Sequence, residues 1–194
     1  MTAKLTRIHP LAGRNAANKT VTITPADPAF RLSLRAPTGS VAALSKALGL
    51  KLPQQPKTSA LAKSTKLSAK KKQAGNRAAL WLGPDEWLVI DTGVDNPLHA
   101  SSGVKALHSA VDISHRNTAL IVSGPNAAAA LTAGCPQDLS LSTFPVGGCS
   151  RTVFGKAEVV LWRTAEDTFR VECWRSFSDY VMTFLEGASR DAAA

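Results

Sequence analysis

No stretch of this sequence reaches the roughly 18 uncharged apolar residues that a membrane-spanning helix needs, which excludes a helical transmembrane protein. The first ten residues, Met1 to Pro10, lack the apolar core of a secretory signal. Cysteine is scarce. Cys135, Cys149 and Cys173 are odd in number and far apart, unlike a disulfide framework, so a reducing, cytoplasmic setting is expected. Acidic residues are almost missing from one end of the chain: residues 1–79 hold 15 Lys and Arg against Asp27 alone, a charge of +14, whereas residues 80–194 carry −5. The overall +9 therefore belongs to the N-terminal half. Aromatic residues are absent where that charge is densest, so the lysines between Lys57 and Lys72 have no rings beside them to stack on bases. A solvated, flexible loop over 53–77 is expected there in place of a nucleic-acid site.

What is present suits a core. The apolar fraction is 44% over 194 residues, enough for one domain or a two-lobed one. Residues 1–20 show no sustained period and read as an arm with no assigned element. Beyond it, alternation predicts strands at Val21 and Ile23, then at Phe30, Leu32 and Leu34. Thr38 is placed to cap a helix carrying Val41, Leu44 and Leu48, with Gly49 as its stop. Ala79 to Leu82 and Trp87 to Ile90, joined by Gly83-Pro84-Asp85, form a hairpin of buried strands. A weak helix is expected around Leu98 to Ala110, strands at Val111 to Ile113 and Thr118 to Val122, and a short helix beginning at Pro125. Val153, Val159, Leu161, Phe169, Val171 and Cys173 mark three more strands. A last helix, capped by Ser176 and ended by Gly187, carries Phe177, Val181, Phe184 and Leu185. The fold class is α+β with mostly antiparallel sheets packed with helices, since no strict βαβ rhythm runs through the chain.

Catalytic patterns fail on the residues themselves. The glycine fingerprint of dinucleotide folds is absent, and Gly148 followed by Gly155-Lys156 has the wrong spacing for a phosphate loop. Asp112, Ser114 and His115 include an acid, a hydroxyl and an imidazole, but strand alternation sends His115 to the face opposite the other two, so no relay forms. Close pairs of Cys or His are missing, so no zinc site is expected, and the cysteines read as small buried residues. Catalytic, cofactor-binding and metal residues are accordingly expected to be none. Alternation places Val159, Leu161, Val171 and Cys173 on the core face, which turns Trp162 and Trp174 the other way. Those two tryptophans, with Arg163 and Arg175 beside them, are candidate partner contacts, because outward Trp and Arg anchor interfaces. The alternative is a sheet buried on both faces.

Several motifs occur in a fixed order: Ala79-Leu80-Trp81-Leu82-Gly83-Pro84-Asp85-Glu86-Trp87-Leu88, Val111-Asp112-Ile113-Ser114-His115-Arg116, Val122-Ser123-Gly124-Pro125 and Gly134-Cys135-Pro136-Gln137-Asp138-Leu139. Phe144-Pro145-Val146-Gly147, Val160-Leu161-Trp162-Arg163 and Trp174-Arg175-Ser176-Phe177 follow. Together they resemble the gamma-subunit family of heterotetrameric sarcosine oxidase, densely over 79–186 and loosely upstream. The resemblance implies one gamma-type domain over 21–194. It also implies a noncatalytic subunit of an oxidoreductase complex of one-carbon metabolism. Such a complex converts sarcosine to glycine, releasing the methyl carbon as formaldehyde or passing it to tetrahydrofolate, with hydrogen peroxide as product. It implies alpha, beta and delta subunits as partners, and FAD, FMN, NAD and tetrahydrofolate held by those subunits. From residue 111 onward the motifs resemble more faintly the aminomethyltransferase folate-binding fold, in which an acidic strand residue acts at folate; Glu158 is the nearest carboxylate here. Two alternatives stay open on the residues: an independent folate-binding module, and a nucleic-acid-binding protein acting through residues 57–77.

Overall fold

The computed structural model describes residues 9–62, 77–93 and 96–193. Every strand pairing among them is antiparallel, and the strands divide into two sheets. The first sheet contains β1 (Ala16–Ala17), β2 (Thr22–Pro25), β8 (Asn117–Ser123), β11 (Thr168–Trp174), β10 (Ala157–Ala165) and β9 (Cys149–Phe154), in that order across the sheet. The second runs β4 (Ser59–Leu61), β5 (Arg77–Gly83), β6 (Glu86–Asp91), β3 (Phe30–Arg35) and β7 (Ser109–Asp112). The α+β class read from the sequence holds.

Helices cover the outer face of each sheet. On the first, α3 (Ala127–Thr132) and α4 (Ser178–Asp191) lay Leu131, Val181, Met182 and Leu185 over Leu120, Val171, Leu161 and Val159. On the second, α1 (Val41–Leu48) and α2 (Pro97–Ser102) cover Leu32, Leu34, Trp87 and Val89. The inner faces meet in a third apolar layer containing Leu80, Leu88, Ile90, Ile113, Cys149 and Val160. Strands covered on both faces need no polar alternation, which is why Trp87 to Ile90 is an unbroken apolar run. Each fully buried side chain of this size contributes about 1.5–3 kcal/mol of transfer free energy.

Local signals explain most boundaries. Gly49 closes α1 in the left-handed region, φ +69°, while Leu50 N–H donates to Ser45 O at 3.2 Å. Gly124 has φ +118°, and a Cβ there would lie 2.3 Å from the carbonyl oxygen of Thr20, so only glycine lets β8 pass that close.

Several expectations need correction. A 3-10 turn, Thr38–Ser40, precedes α1, and no side chain caps it. The weak helix contracts to α2, because Asn96 caps it by accepting from Leu98 N–H at 2.9 Å and Gly103 follows its last residue. The short helix starts at Ala127, two residues after Pro125. No side-chain hydrogen bond caps the last helix, and Gly187 does not end it: α4 continues to Asp191, because Ala188 and Ser189 beyond the glycine are buried and Ser189 O accepts from the Asn18 amide at 2.8 Å. The N-terminal arm is docked over its described part. Leu11 is buried in the first core, β1 pairs with β2, and Arg14 binds Asp179 and Glu186 of α4. The basic stretch 53–77 contains ordered strand at Ser59 to Leu61, with Thr58 bridging Gly148; its residues 63–76 lie outside the described residues. No helix among the described residues is long and apolar enough to cross a membrane.

Candidate functional site

Of the residues singled out on β10 and β11, Glu158, Trp162 and Trp174 lie along the inner face of the first sheet and Arg163 on the opposite one, and pairing sorts the inner face into rows. Cys149, Trp162 and Arg170 form one row across β9, β10 and β11. Arg151, Val160 and Glu172 form the next, and Val153 and Glu158 pair in the last, with Trp174 following Cys173 at the same end of β11. In the first two rows Cys149, Val160, Arg170 and Glu172 are buried and Trp162 is half-buried, whereas Arg151 and the last row are exposed.

The covered rows hold Trp162. Its indole N–H donates to Ser59 Oγ at 3.0 Å and its ring packs on the intersheet layer. Trp162 is therefore only partly exposed, with its ring against the layer between the sheets. Arg163 is corrected too. It points into the helix-side core, 4% exposed, donating to the carbonyls of Leu139, Phe144 and Glu166 and stacking over Phe169. It ties the irregular 135–149 segment to the sheet and offers a partner nothing. Periodicity could place Arg163 on the core face, but not supply the carbonyls that satisfy it.

A buried charge cluster, not foreseen from the sequence, crosses the same seam. Glu172, fully buried, accepts from Arg31 Nε at 2.5 Å and from Arg170 Nε at 2.7 Å. Both guanidiniums are more than nine-tenths buried. Buried Lys, Glu and Arg persist only when paired, and the alternation of Phe169, Val171 and Cys173 against Arg170 and Glu172 was the available signal. Arg77 and Asp91 make a second pair at 2.6 Å across the ends of β5 and β6.

The uncovered row is different. Trp174 is 40% exposed; the Arg116 guanidinium lies 5.1 Å above its ring and Phe177, equally exposed, sits 6.2 Å away. Val153 is 45% exposed at the far end of the row. Arg175, half-buried, anchors the strand end by donating its backbone N–H to Arg116 O at 2.7 Å. A cleft of about 50 Å³ opens where this row meets the second sheet, lined by Glu86, Arg151, Glu158, Arg116 and Trp174 among others. Arg151 closes one side on Glu86. Glu158 stands exposed at the rim.

Relay geometry is absent at Asp112. The carboxylate accepts directly from the Ser114 hydroxyl at 2.5 Å and from Asn96, with no imidazole between, while Ser114 Oγ also accepts from Arg31 N–H. Burial opposes ionisation, but the Ser114 and Asn96 bonds and nearby His115 outweigh it and hold Asp112 below its ordinary value. The cluster fastens a strand end. Cys149 and Cys173 are buried, and desolvation pushes each thiol up to about 12, far from a nucleophile's range. Cys149 donates to Thr58 O at 3.2 Å and stitches the two sheets together. Among the described residues no three His, Cys, Asp or Glu converge as a metal site would require.

Residues 26–191 match the model of the sarcosine oxidase, gamma subunit family. The chain is 34% identical over 171 residues to a sarcosine oxidase subunit gamma from Arthrobacter sp, spanning 86% of this chain and 78% of that one. It is 31% identical over 192 residues to the corresponding subunit of Corynebacterium sp. (strain U-96), spanning 94% and 86%. Among solved structures it matches a chain of the heterotetrameric sarcosine oxidase from Corynebacterium sp. U-96 in complex with pyrrole 2-carboxylate. That match has a TM-score of 0.81, 29% identity and 97% coverage of both chains. A glycine cleavage system aminomethyltransferase from Bartonella henselae shares the fold, with a TM-score of 0.65, 15% identity, 88% of this chain and 46% of that one.

Proposed function

The chain belongs to the sarcosine oxidase gamma subunit family, and on that premise we propose that it serves as a noncatalytic, partner-docking subunit of a heterotetrameric sarcosine oxidase. The complex oxidatively demethylates sarcosine to glycine. Oxygen becomes hydrogen peroxide, and the methyl carbon leaves as formaldehyde or as 5,10-methylenetetrahydrofolate. FAD, FMN, NAD and tetrahydrofolate belong to the alpha, beta and delta subunits.

One observation carries the docking reading. The exposed Val153, Glu158 and Trp174, with Phe177 beside them, sit at one end of the inner face, beyond the buried Val160, Arg170 and Glu172. Trp174 is fixed between Arg116 and Phe177, so it loses little rotamer freedom on binding, which favours a hot spot. Trp174 and Arg175 are retained as partner contacts, and Trp162 and Arg163 are replaced by Phe177 and Val153. Co-expression with the alpha, beta and delta chains tests this. Trp174→Ala with Phe177→Ala should lower recovery of this chain in the flavin-containing complex at least about tenfold. Assembly of a fully active complex that excludes the unaltered chain would refute the reading.

The folate-module alternative rests on Glu158 at the cleft rim. At about 50 Å³ that cleft falls well short of the roughly 300–1,000 Å³ of small-molecule sites. Calorimetry of the isolated chain with tetrahydrofolate should show no heat of binding. The nucleic-acid alternative is weakened at one end of its stretch, because Arg77 is committed to Asp91 and to Leu48 O.

A further inference from the structure

The aromatic rim does not end at Phe177. Trp174, Phe177 and Tyr180 are all exposed and fall three residues apart, across the 3-10 turn Arg175–Phe177 and the first turn of α4. Side chains at that spacing share one side of a 3-10 or α-helix, so the three rings form a single ridge. Both ends of it are held in place. Trp174 lies between Arg116 and Phe177. The Tyr180 hydroxyl accepts from Lys156 N–H at 3.0 Å, and its ring meets Phe184 edge-on with centroids 6.1 Å apart. Tyr180 also covers the turn at Gly155, φ +58°, where a Cβ would stand 2.3 Å from its hydroxyl.

The charges around the ridge are unevenly paired. Asp179 and Glu186 are bound by Arg14, and Glu86 by Arg151. Arg116 is exposed over the Trp174 ring, and its side chain donates only through Nε, to Asn117 Oδ1 at 3.2 Å. That bond and the ring orient the guanidinium and leave its two terminal nitrogens as a donor fork. Lys156 is exposed at the Tyr180 end, and no carboxylate among the described residues pairs with it or with Arg116. Glu158, exposed at the cleft rim, is the acid left outside these pairs. Two open cations thus bracket the three rings, against one open acid.

We infer that the ridge seats an acidic segment of the adjoining subunit, whose apolar side chains pack along Trp174, Phe177 and Tyr180 while one carboxylate meets the Arg116 fork and a second meets Lys156. A carboxylate matches the guanidinium fork with two parallel hydrogen bonds, and rings that are already fixed lose little freedom when covered. A basic segment would bring like charges together at both ends of the ridge, at a cost that discriminates against it. The inference rests on the docking reading and adds to it the chemistry of the partner.

The test measures recovery of this chain in the flavin-containing complex on co-expression with the alpha, beta and delta chains, at low and at high salt. Arg116→Glu with Lys156→Glu should lower recovery about tenfold at low salt, and Arg116→Gln with Lys156→Gln about threefold, each purified variant keeping the wild-type melting curve. Lys156→Glu alone, which leaves the Trp174 contacts intact, should lower it about threefold. Wild-type recovery should fall as salt rises, and that of the doubly reversed variant should not. Loss of recovery in Trp174→Ala with Phe177→Ala but in none of the charge variants overturns the acidic partner and leaves docking at the ridge standing. Recovery that rises in the reversed variants also overturns it and identifies a basic partner. Recovery unchanged in the ring and charge variants alike overturns the docking reading and this inference together.

Discussion

Trp162 and Trp174 stand on neighbouring strands and on the same face of one sheet, yet one is covered by the second sheet and the other is open to solvent. The covered part of that face is a stitched interior, with an indole bonded to Ser59, a thiol bonded to Thr58 and a carboxylate shared by two guanidiniums. The open part has an aromatic pair under an arginine and a few exposed apolar side chains. A face of one residue pattern thus serves two purposes, stability inside and recognition at the rim.

The largest expected effect lies in the covered part. Glu172→Gln keeps the shape but leaves two buried guanidiniums without a counterion, and should cost about 3–5 kcal/mol in denaturant unfolding. A loss under about 1 kcal/mol would mean that the cluster is solvated and the seam is not closed. Trp162→Ala comes next, at about 2–4 kcal/mol, since it opens a cavity between the sheets and removes the indole bond to Ser59 Oγ.

The pH dependence tests burial on both faces of the first sheet at once. Cys149 in the seam and Cys173 on the helix side have thiols raised from 9.0 to about 12. The native state therefore holds these protons more tightly than the unfolded chain does. Their contribution is fully present below pH 9 and is lost as pH rises towards 12, at up to about 2.7 kcal/mol per pH unit for the two together. Unfolding free energies across that range in Cys149→Ala and Cys173→Ala should each show a shallower slope. Native alkylation of either thiol at neutral pH should be negligible.

The smallest stability effect belongs to the rim. Trp174→Ala should change stability by less than about 1 kcal/mol while reducing recovery in the complex, the reverse of Trp162→Ala. Equal losses of stability in both variants would erase the distinction between the two regions.

How much of this was legible varies with the range of the cause. Gly49 ends α1 and Gly83-Pro84-Asp85 turns β5 into β6 because local backbone conformation decides both. Gly187 does not stop α4, because the buried residues beyond it outweigh the roughly 1 kcal/mol that an interior glycine costs. The arm resisted reading since Leu11 and Arg14 find their partners in elements far along the chain, chiefly α4. Arg163 looked like a contact residue because two of its three carbonyl partners, Leu139 and Phe144, come from a segment without periodicity.

By itself the sequence determined the strands and their alternation, the hairpins, the class of fold and, through ordered motifs, the family. It also set Trp162 and Trp174 on one side of their sheet. Only the tertiary structure decided where the second sheet ends, and hence which tryptophan is partly covered and which arginines share Glu172. The reason is physical: a period of two specifies the face on which a side chain lies, whereas the cover over that face is supplied by strands distant in sequence.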